Sequence, residues 1–234
     1  MNENAEQTAI LPACVGIIMD GNRRWAKAKG LPTLEGHTAG LTRAKEIIRH
    51  AFTRGVGTVV LYAFSTENWN RAPEEVGYLM RLFANALDKE FAELVKEGAR
   101  IRFIGDLARL PKELRTAAEK SEKENAQNTS GKTLVIALSY GGRAEIVAAA
   151  NKLIKEGKQE VSEEDVSSAL WSAGMPDPDI IIRTSGEKRL SNFLPWQSAY
   201  SELFFTTTYW PDFTPEEFDA ILAEFAERER RHGK

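Results

Sequence analysis

Short apolar runs, each closed by glycine, hydroxyl, acid or arginine, alternate along this chain with longer amphipathic stretches. Residues 15–19 (VGIIM) stop at Asp20-Gly21, and residues 58–64 (TVVLYAF) stop at Ser65-Thr66-Glu67. Residues 100–104, 134–138 and 180–182 take the same form, with 203–206 as a last candidate. Runs this short, β-branched or aromatic and bounded by turn residues, read as buried strands. The stretches between them read as helices. In 36–54, Leu41, Ala44, Ile48 and Ala51 share one face and Gly55 closes the end. Pro73 opens a helix that runs to about residue 97, with Glu74 and Glu75 in its first turn and a stripe of Val76, Met80, Phe83, Leu87, Phe91 and Leu94. Residues 112–125 and 142–155 are helical, Ser162 caps a short helix, and Thr214-Pro-Glu-Glu217 is a capping box that opens the last one. The alternation predicts an α/β fold: a single domain, 15–234, with a mainly parallel central sheet flanked by helices, after a loose leader over 1–14.

With 42% hydrophobic residues in 234, the chain can bury a sizeable core. A formal net charge of -3 gives no bulk attraction to nucleic acid or to an anionic membrane, so an anion site must come from local arginine clustering. The single cysteine, Cys14, excludes an intramolecular disulfide and a multi-cysteine metal site and fits a reducing, cytoplasmic setting. No signal-like segment is visible, and the apolar runs are too short to span a bilayer.

In open α/β sheets ligands bind beyond the carboxyl ends of the strands, so the residues after each strand carry the functional reading. The first tip presents Asp20, Gly21, Asn22, Arg23, Arg24 and Trp25, and the second Ser65, Thr66, Glu67, Asn68, Trp69 and Arg71. The fourth presents Ser139, Tyr140, Gly141, Gly142 and Arg143, and the fifth Arg183, Thr184, Ser185, Glu187, Lys188, Arg189, Leu190 and Ser191. Each has a plain alternative. Asp-Gly is a common turn, Arg23 and Arg24 could be solvated helix residues, and Trp25 and Trp69 could be core. His37 could merely start a helix, Ser65 and Asn68 could cap a turn, Gly141-Gly142 could be a tight turn, and Glu202 could sit in a salt bridge. Their joint placement at one edge of the sheet favours function. Arginine pairs with phosphate through two hydrogen bonds, so this many arginines suit more than one phosphate. A magnesium ion needs only one or two carboxylates when diphosphate and water complete its shell. Asp20 fits that role, with Glu202 as a second ligand. The chain has no Walker A pattern and no dinucleotide fingerprint.

These motifs resemble those of the cis-prenyltransferases: MDGNRRWA, LYAFSTENWNR, Gly105-Asp106, YGGR, IIRTSGEKRLSNFLPWQSAYSELFF and WPDF, in that order. The resemblance implies a Mg2+-dependent condensation of isopentenyl diphosphate with an allylic diphosphate, commonly farnesyl diphosphate. The product would be a long-chain polyprenyl diphosphate, such as the undecaprenyl carrier of cell-wall synthesis, grown in an apolar tunnel. It implies that Asp20 is the catalytic carboxylate and a magnesium ligand, that Asn68 is a proton acceptor, and that Glu202 is the second metal ligand. Gly21, Asn22, Arg23 and Arg24 would cradle the allylic diphosphate, with Trp25 and Trp69 walling the prenyl site and His37 contacting diphosphate or aiding proton transfer. Ser65, Thr66, Glu67 and Arg71 would bind substrate, and Arg183, Arg189, Leu190 and Ser191 isopentenyl diphosphate. It also implies a homodimer, with Arg231-His232-Gly233 reaching the partner's site, and a cytoplasmic enzyme in transient contact with the inner face of the membrane. Thr33 stands where many relatives carry arginine, Arg23 where many carry glycine, and Lys188 where histidine is frequent. Two other readings stay open at this stage: a non-catalytic subunit of the same fold and a metal-dependent phosphohydrolase.

Overall fold

The structure, a computed structural model, describes residues 11–228. Among these residues six strands form one sheet: β1 (Cys14–Ile18), β2 (Thr58–Ser65), β3 (Arg100–Ile104), β4 (Thr133–Tyr140), β5 (Ile180–Arg183) and β6 (Glu202–Phe205). Their spatial order is β3-β4-β2-β1-β5-β6, and every neighbouring pair is parallel. The helices are α1 (Asn22–Ala28), α2 (Thr33–Thr53), α3 (Pro73–Asn85), α4 (Phe91–Lys96), α5 (Lys112–Asn125), α6 (Gly142–Lys155), α7 (Glu163–Ala169) and α8 (Pro215–Glu227). From β1 the chain proceeds to β2 on one side, and from the adjacent β5 to β6 on the other. The crevice at the carboxyl ends of β1 and β5 is therefore a topological switch point, the place where such sheets bind ligands.

Successive strand residues point to opposite faces, and both faces are buried. Val15, Ile17, Val59 and Leu61 pack against α2, α3, α4, α5 and α8 through Ile47, Leu79, Phe91, Leu114 and Phe218. Cys14, Ile18, Val60 and Val135 face a second layer that includes Phe193 and Leu194. Burial pushes the Cys14 thiol up to about 12, so it behaves as a small apolar residue rather than a nucleophile.

Several boundaries depart from the sequence reading. Cys14, assigned to the leader, is fully buried as the first residue of β1, and its N–H donates to Asp179 Oδ2 at 3.0 Å. The second helix begins at Thr33, three residues early. β4 continues through Ser139 and Tyr140, and β6 starts at Glu202 instead of Leu203. The expected long helix over 73–97 is interrupted by a π turn, Ala86–Glu90. The stripe gives no sign of the break: Val76, Met80, Phe83, Leu87, Phe91 and Leu94 span 18 residues in five steps, the 3.6-residue period of an unbroken helix. The end of the turn is tied to α2 by Lys45–Glu90, and the stretch after it by Arg49–Glu93 at 2.8 Å and Arg49–Glu97 at 3.0 Å. The Ser162 cap forms as read, with Asp165 completing a capping box, and so does the Thr214 capping box. Arg231-His232-Gly233 lies outside the described residues.

Candidate active site

Asp20 is delivered by β1 and turned outward at Gly21. Gly21 has φ 110°, and a Cβ there would stand 2.9 Å from the Tyr209 ring and 3.0 Å from Ser185 Oγ, so both conformation and space demand glycine. The carbonyl of Asp20 is pinned by two donors, Thr184 Oγ1 at 2.6 Å and Trp210 N at 3.0 Å. Its carboxylate accepts from Arg183 Nη2 at 2.8 Å and pairs with Arg24 Nη2 at 3.1 Å. Arg183 ends β5 almost fully buried; its Nη1 donates to Ser191 Oγ at 2.7 Å and to the Arg189 carbonyl. Parallel pairing of β1 with β5 places this acid and this cation together from opposite ends of the sequence.

A second cluster forms around Glu75, in the first turn of α3. Its Oε1 lies 3.0 Å from Arg71 Nη1, 3.2 Å from His37 Nε2 and 4.0 Å from Arg23 Nε. Three expected binding residues from three separate segments thus converge on one nearly buried carboxylate. Burial lowers the pKa of His37 from its ordinary value, against the opposing pull of Glu75, so the imidazole is neutral near pH 7. Glu75 was read from sequence only as a favourable helix-start charge. The signal that could have found it is its i,i+4 spacing from Arg71.

At the tip of β2, Ser65 N donates to Asn68 Oδ1 at 3.1 Å, so Asn68 does cap this turn. Glu67 accepts from Thr66 Oγ1 at 3.1 Å and from Asn192 Nδ2 at 3.0 Å. Burial would raise the Glu67 pKa, but these hydrogen bonds outweigh it and hold the group below its ordinary value. Among the described residues the non-glycine positions with positive φ are Ser139, Ser185, Ser191, Asn192 and Leu194, all in β4's last turn or the loops after β5. Such strain, of order 1–3 kcal/mol each, gathers where a site is held in place by its surroundings.

Two polar cavities flank Asp20. One, of about 710 Å³, is lined by Ser65, Glu67, Asn68, Arg71, Arg143, Arg183, Ser191 and Asn192 as well as Asp20. The other, of about 570 Å³, has Asp20, Gly21, Arg23, Arg24, Lys27, Thr33 and Arg71. A third, apolar cavity of about 70 Å³ runs beneath, among Leu41, Ala44, Leu79, Leu82, Phe83 and Phe91. Met19, Asn22 and His37 line all three. The arrangement offers two anion pockets side by side, one carboxylate between them and an apolar recess at their junction. Among the described residues no cluster of three or more acidic, histidine or cysteine side chains could hold a metal by itself. One exposed-edge carboxylate between two anion pockets instead suits a cation that takes most of its ligands from a bound diphosphate and water.

Several expected residues stand elsewhere. The Trp25 indole turns away from the cavities, its Nε1 donating to Asp212 Oδ1 at 2.8 Å. Trp69 packs edge-on to Phe64 at 5.0 Å, donates to Ser139 Oγ at 3.0 Å and lines an outer groove between α3 and α5. Leu190 packs into the second apolar layer, and Arg189 pairs with Glu187 at 2.5 Å on the rim. Glu202 is the largest departure. In parallel register it opens β6 beside Ile180, at the amino edge of the sheet, where it pairs with Arg228 at 2.5 Å. Within this chain it and Asp20 are not brought together, because one begins a strand and the other follows a strand's end. Asn192, quoted in the sequence reading only as part of the RLSNF motif and given no role there, bridges Glu67 to the start of α6.

Comparison with known proteins agrees with the fold. A family model described as "Putative undecaprenyl diphosphate synthase" matches residues 18–233. The isoprenyl transferase of Neisseria gonorrhoeae is 45% identical over 98% of this chain and 92% of its own length. That of Lactococcus lactis is 44% identical over 99% and 97%. Among solved structures, lavandulyl diphosphate synthase from Lavandula x intermedia, in complex with dimethylallyl diphosphate, has a TM-score of 0.91 at 35% identity, covering 96% of this chain and 99% of that one. A probable undecaprenyl diphosphate synthase from Campylobacter jejuni has a TM-score of 0.80 at 32% identity and covers all of both chains. With a family match over residues 18–233 and relatives near 45% identity along almost their whole length, the chain belongs to the undecaprenyl diphosphate synthase family of cis-prenyltransferases and is a prenyl-transferring enzyme.

Proposed function

We propose that the enzyme is Mg2+-dependent and condenses isopentenyl diphosphate with an allylic diphosphate, farnesyl diphosphate first, to build a long-chain polyprenyl diphosphate such as the undecaprenyl carrier of cell-wall synthesis. The observation that carries the reading is the position of Asp20 in the walls of both polar cavities, with the apolar recess at their shared residues. The cavity of Gly21, Arg23 and Arg24 takes the allylic diphosphate, and that of Arg183 and Ser191 takes isopentenyl diphosphate. The dimethylallyl diphosphate in the lavandulyl enzyme supports an allylic diphosphate as a ligand of this fold. The prenyl chain enters the recess between α2 and α3.

In the reaction C4 of isopentenyl diphosphate bonds to C1 of the allylic substrate as the C1–O bond breaks. The bonding electrons of that bond leave with the diphosphate, and a proton is lost from C2. The chain's contribution is positioning and charge. Arg23 and Arg24 neutralise the departing group, and Arg183 holds both Asp20 and Ser191 in place. Asp20 is the residue that would hold the metal, which when bound supplies charge neutralisation at the leaving diphosphate. Asn68 Oδ1 already accepts a backbone hydrogen bond and an amide is a poor base, so Asn68 orients substrate while water or diphosphate takes the proton. Among the described residues no helix is long and apolar enough to cross a membrane. The reading keeps a homodimer and transient contact of the lipid product with the inner membrane face.

The test is incubation of purified protein with labelled isopentenyl diphosphate, farnesyl or dimethylallyl diphosphate, and Mg2+, followed by sizing of butanol-extractable products. Mg2+-dependent growth of a polyprenyl ladder is expected. Diphosphate hydrolysis without chain growth would sink the reading, and no turnover at all would point to a non-catalytic subunit.

A further inference from the structure

Arg143 follows Gly141-Gly142 at the end of β4 and lines the cavity assigned to isopentenyl diphosphate, with Arg183, Ser191 and Asn192. The other arginines around the two polar cavities each face a carboxylate. Arg23 and Arg71 meet Glu75, Arg24 and Arg183 meet Asp20, and Arg189 meets Glu187. Among the described residues Arg143 has no ion pair, and its guanidinium has no hydrogen bond. It is the surplus cation of a cavity whose other arginines are already matched.

Its main chain, by contrast, is fixed. Arg143 N donates to Asn192 Oδ1 at 2.9 Å and Gly142 N to the Asn192 carbonyl at 2.8 Å, while Asn192 Nδ2 holds Glu67. The two glycines make that contact possible through space, not through conformation. Gly141 has φ -159°, extended backbone that any residue adopts. A Cβ on Gly142 would stand 1.9 Å from Pro195 Cδ, and one on Gly141 would stand 2.5 Å from Thr66 Oγ1 and 2.8 Å from Asn192 Nδ2. The glycine pair thus presses the start of α6 against the loop that carries Ser191, and brings an unmatched guanidinium to the wall of the cavity Arg183 also lines.

We propose that Arg143 is a further binding residue for the diphosphate of isopentenyl diphosphate, engaging it beside Arg183 and Ser191. This rests on the assignment of that cavity to isopentenyl diphosphate. An arginine without a carboxylate partner can meet an incoming phosphate without first breaking an ion pair, and it adds paired, charge-assisted hydrogen bonds.

The experiment compares wild type with Arg143→Ala and Arg143→Lys by varying each substrate separately, and titrates inorganic pyrophosphate calorimetrically into all three. In Arg143→Ala, KM for isopentenyl diphosphate should rise about ten- to a hundredfold and pyrophosphate affinity should weaken by a similar factor, the size of a lost charged hydrogen bond. KM for the allylic substrate should not change, and Arg143→Lys should recover part of the loss. An unchanged KM for isopentenyl diphosphate, or a rise confined to the allylic substrate, would overturn the assignment. Should Arg143→Ala fold poorly, Arg143→Lys and Arg143→Gln give the same comparison. If the wild type makes no prenyl product, the assigned reaction fails by itself, and the pyrophosphate titration still decides whether Arg143 binds diphosphate.

Discussion

The two edges of the sheet use the same kinds of side chain to opposite ends. At the amino edge, polar groups are consumed by main chain. Asp179 Oδ2 accepts from Ala13 N at 2.7 Å and from Cys14 N at 3.0 Å, and Ser201 Oγ donates to the Pro178 carbonyl. Glu202 is closed off by Arg228. At the carboxyl edge, acids and arginines face one another across cavities, on loops whose serines and asparagine take positive φ. The amino edge spends its polar groups on locking the start of β1 and the loop into β6. The carboxyl edge holds most of its arginines and acids in pairs across the cavities and leaves Arg143 unmatched. A carboxylate in an α/β sheet is therefore read by the end of the strand it occupies before it is read by its type.

Four substitutions break or sharpen this contrast, from the largest expected effect down. Asp20→Ala should cut prenyl transfer by about a thousandfold, with the circular dichroism spectrum unchanged. Near-normal activity would remove Asp20 from the centre of the site. At the opposite edge, Asp179→Ala leaves the N–H groups of Ala13 and Cys14, at the start of β1, without their carboxylate and should lower unfolding stability by about 1–3 kcal/mol in denaturant titration. Turnover per folded molecule should be untouched, and a loss of turnover at full stability would mean that the amino edge reaches the chemistry.

Glu75→Gln keeps the shape of the hub and removes its charge. A fall of about tenfold in kcat/KM is expected, the scale of one weakened charged contact. Because Glu75 raises the His37 pKa against burial, the substitution should lower that pKa further, which an NMR titration of the imidazole reads directly. The sign for stability follows. The folded-state pKa of His37 lies below its unfolded value, so the unfolded chain binds the proton first. The stability associated with neutral His37 is complete above the unfolded pKa and is lost as pH falls through the folded one. In Glu75→Gln the loss should extend to lower pH than in wild type; an upward shift of the His37 titration would refute the hub.

Glu202→Gln should do least. Its partner and itself are each about one-third exposed, and the pair is worth under about 1 kcal/mol. If Asp20 is the metal ligand, as proposed, activity should change by less than about threefold, a shift no larger than that surface pair is worth. A drop beyond tenfold that excess Mg2+ restores would dissolve the contrast between the edges and place Glu202 in a site completed by a second chain.

Much of the carboxyl edge was legible in the sequence because strand tips are local features. The run into Asp20-Gly21, the one ending at Ser65 and the one ending at Arg183 could each be located by an apolar stretch and the turn residue that stops it. The partners could not. Glu75 meets His37 only because α3 folds back over α2, 38 residues away. Trp25 faces Asp212 across 187 residues. The π turn was hidden because the stripe from Val76 to Leu94 keeps the 3.6-residue period straight through it.

By itself the sequence determined the α/β class, the strands, the caps and the concentration of arginine and glycine after four of the strands, since each depends on periodicity and on residues a few positions apart. Only the tertiary structure decided which of those charges face one another. It set Asp20 against Arg183 through the β1–β5 register, gathered Arg23, His37 and Arg71 on Glu75, left Arg143 unmatched and sent Glu202 to the far edge. The physical reason is that hydrogen bonds and ion pairs between distant segments are chosen by how the buried faces pack, and packing is settled by the whole core at once.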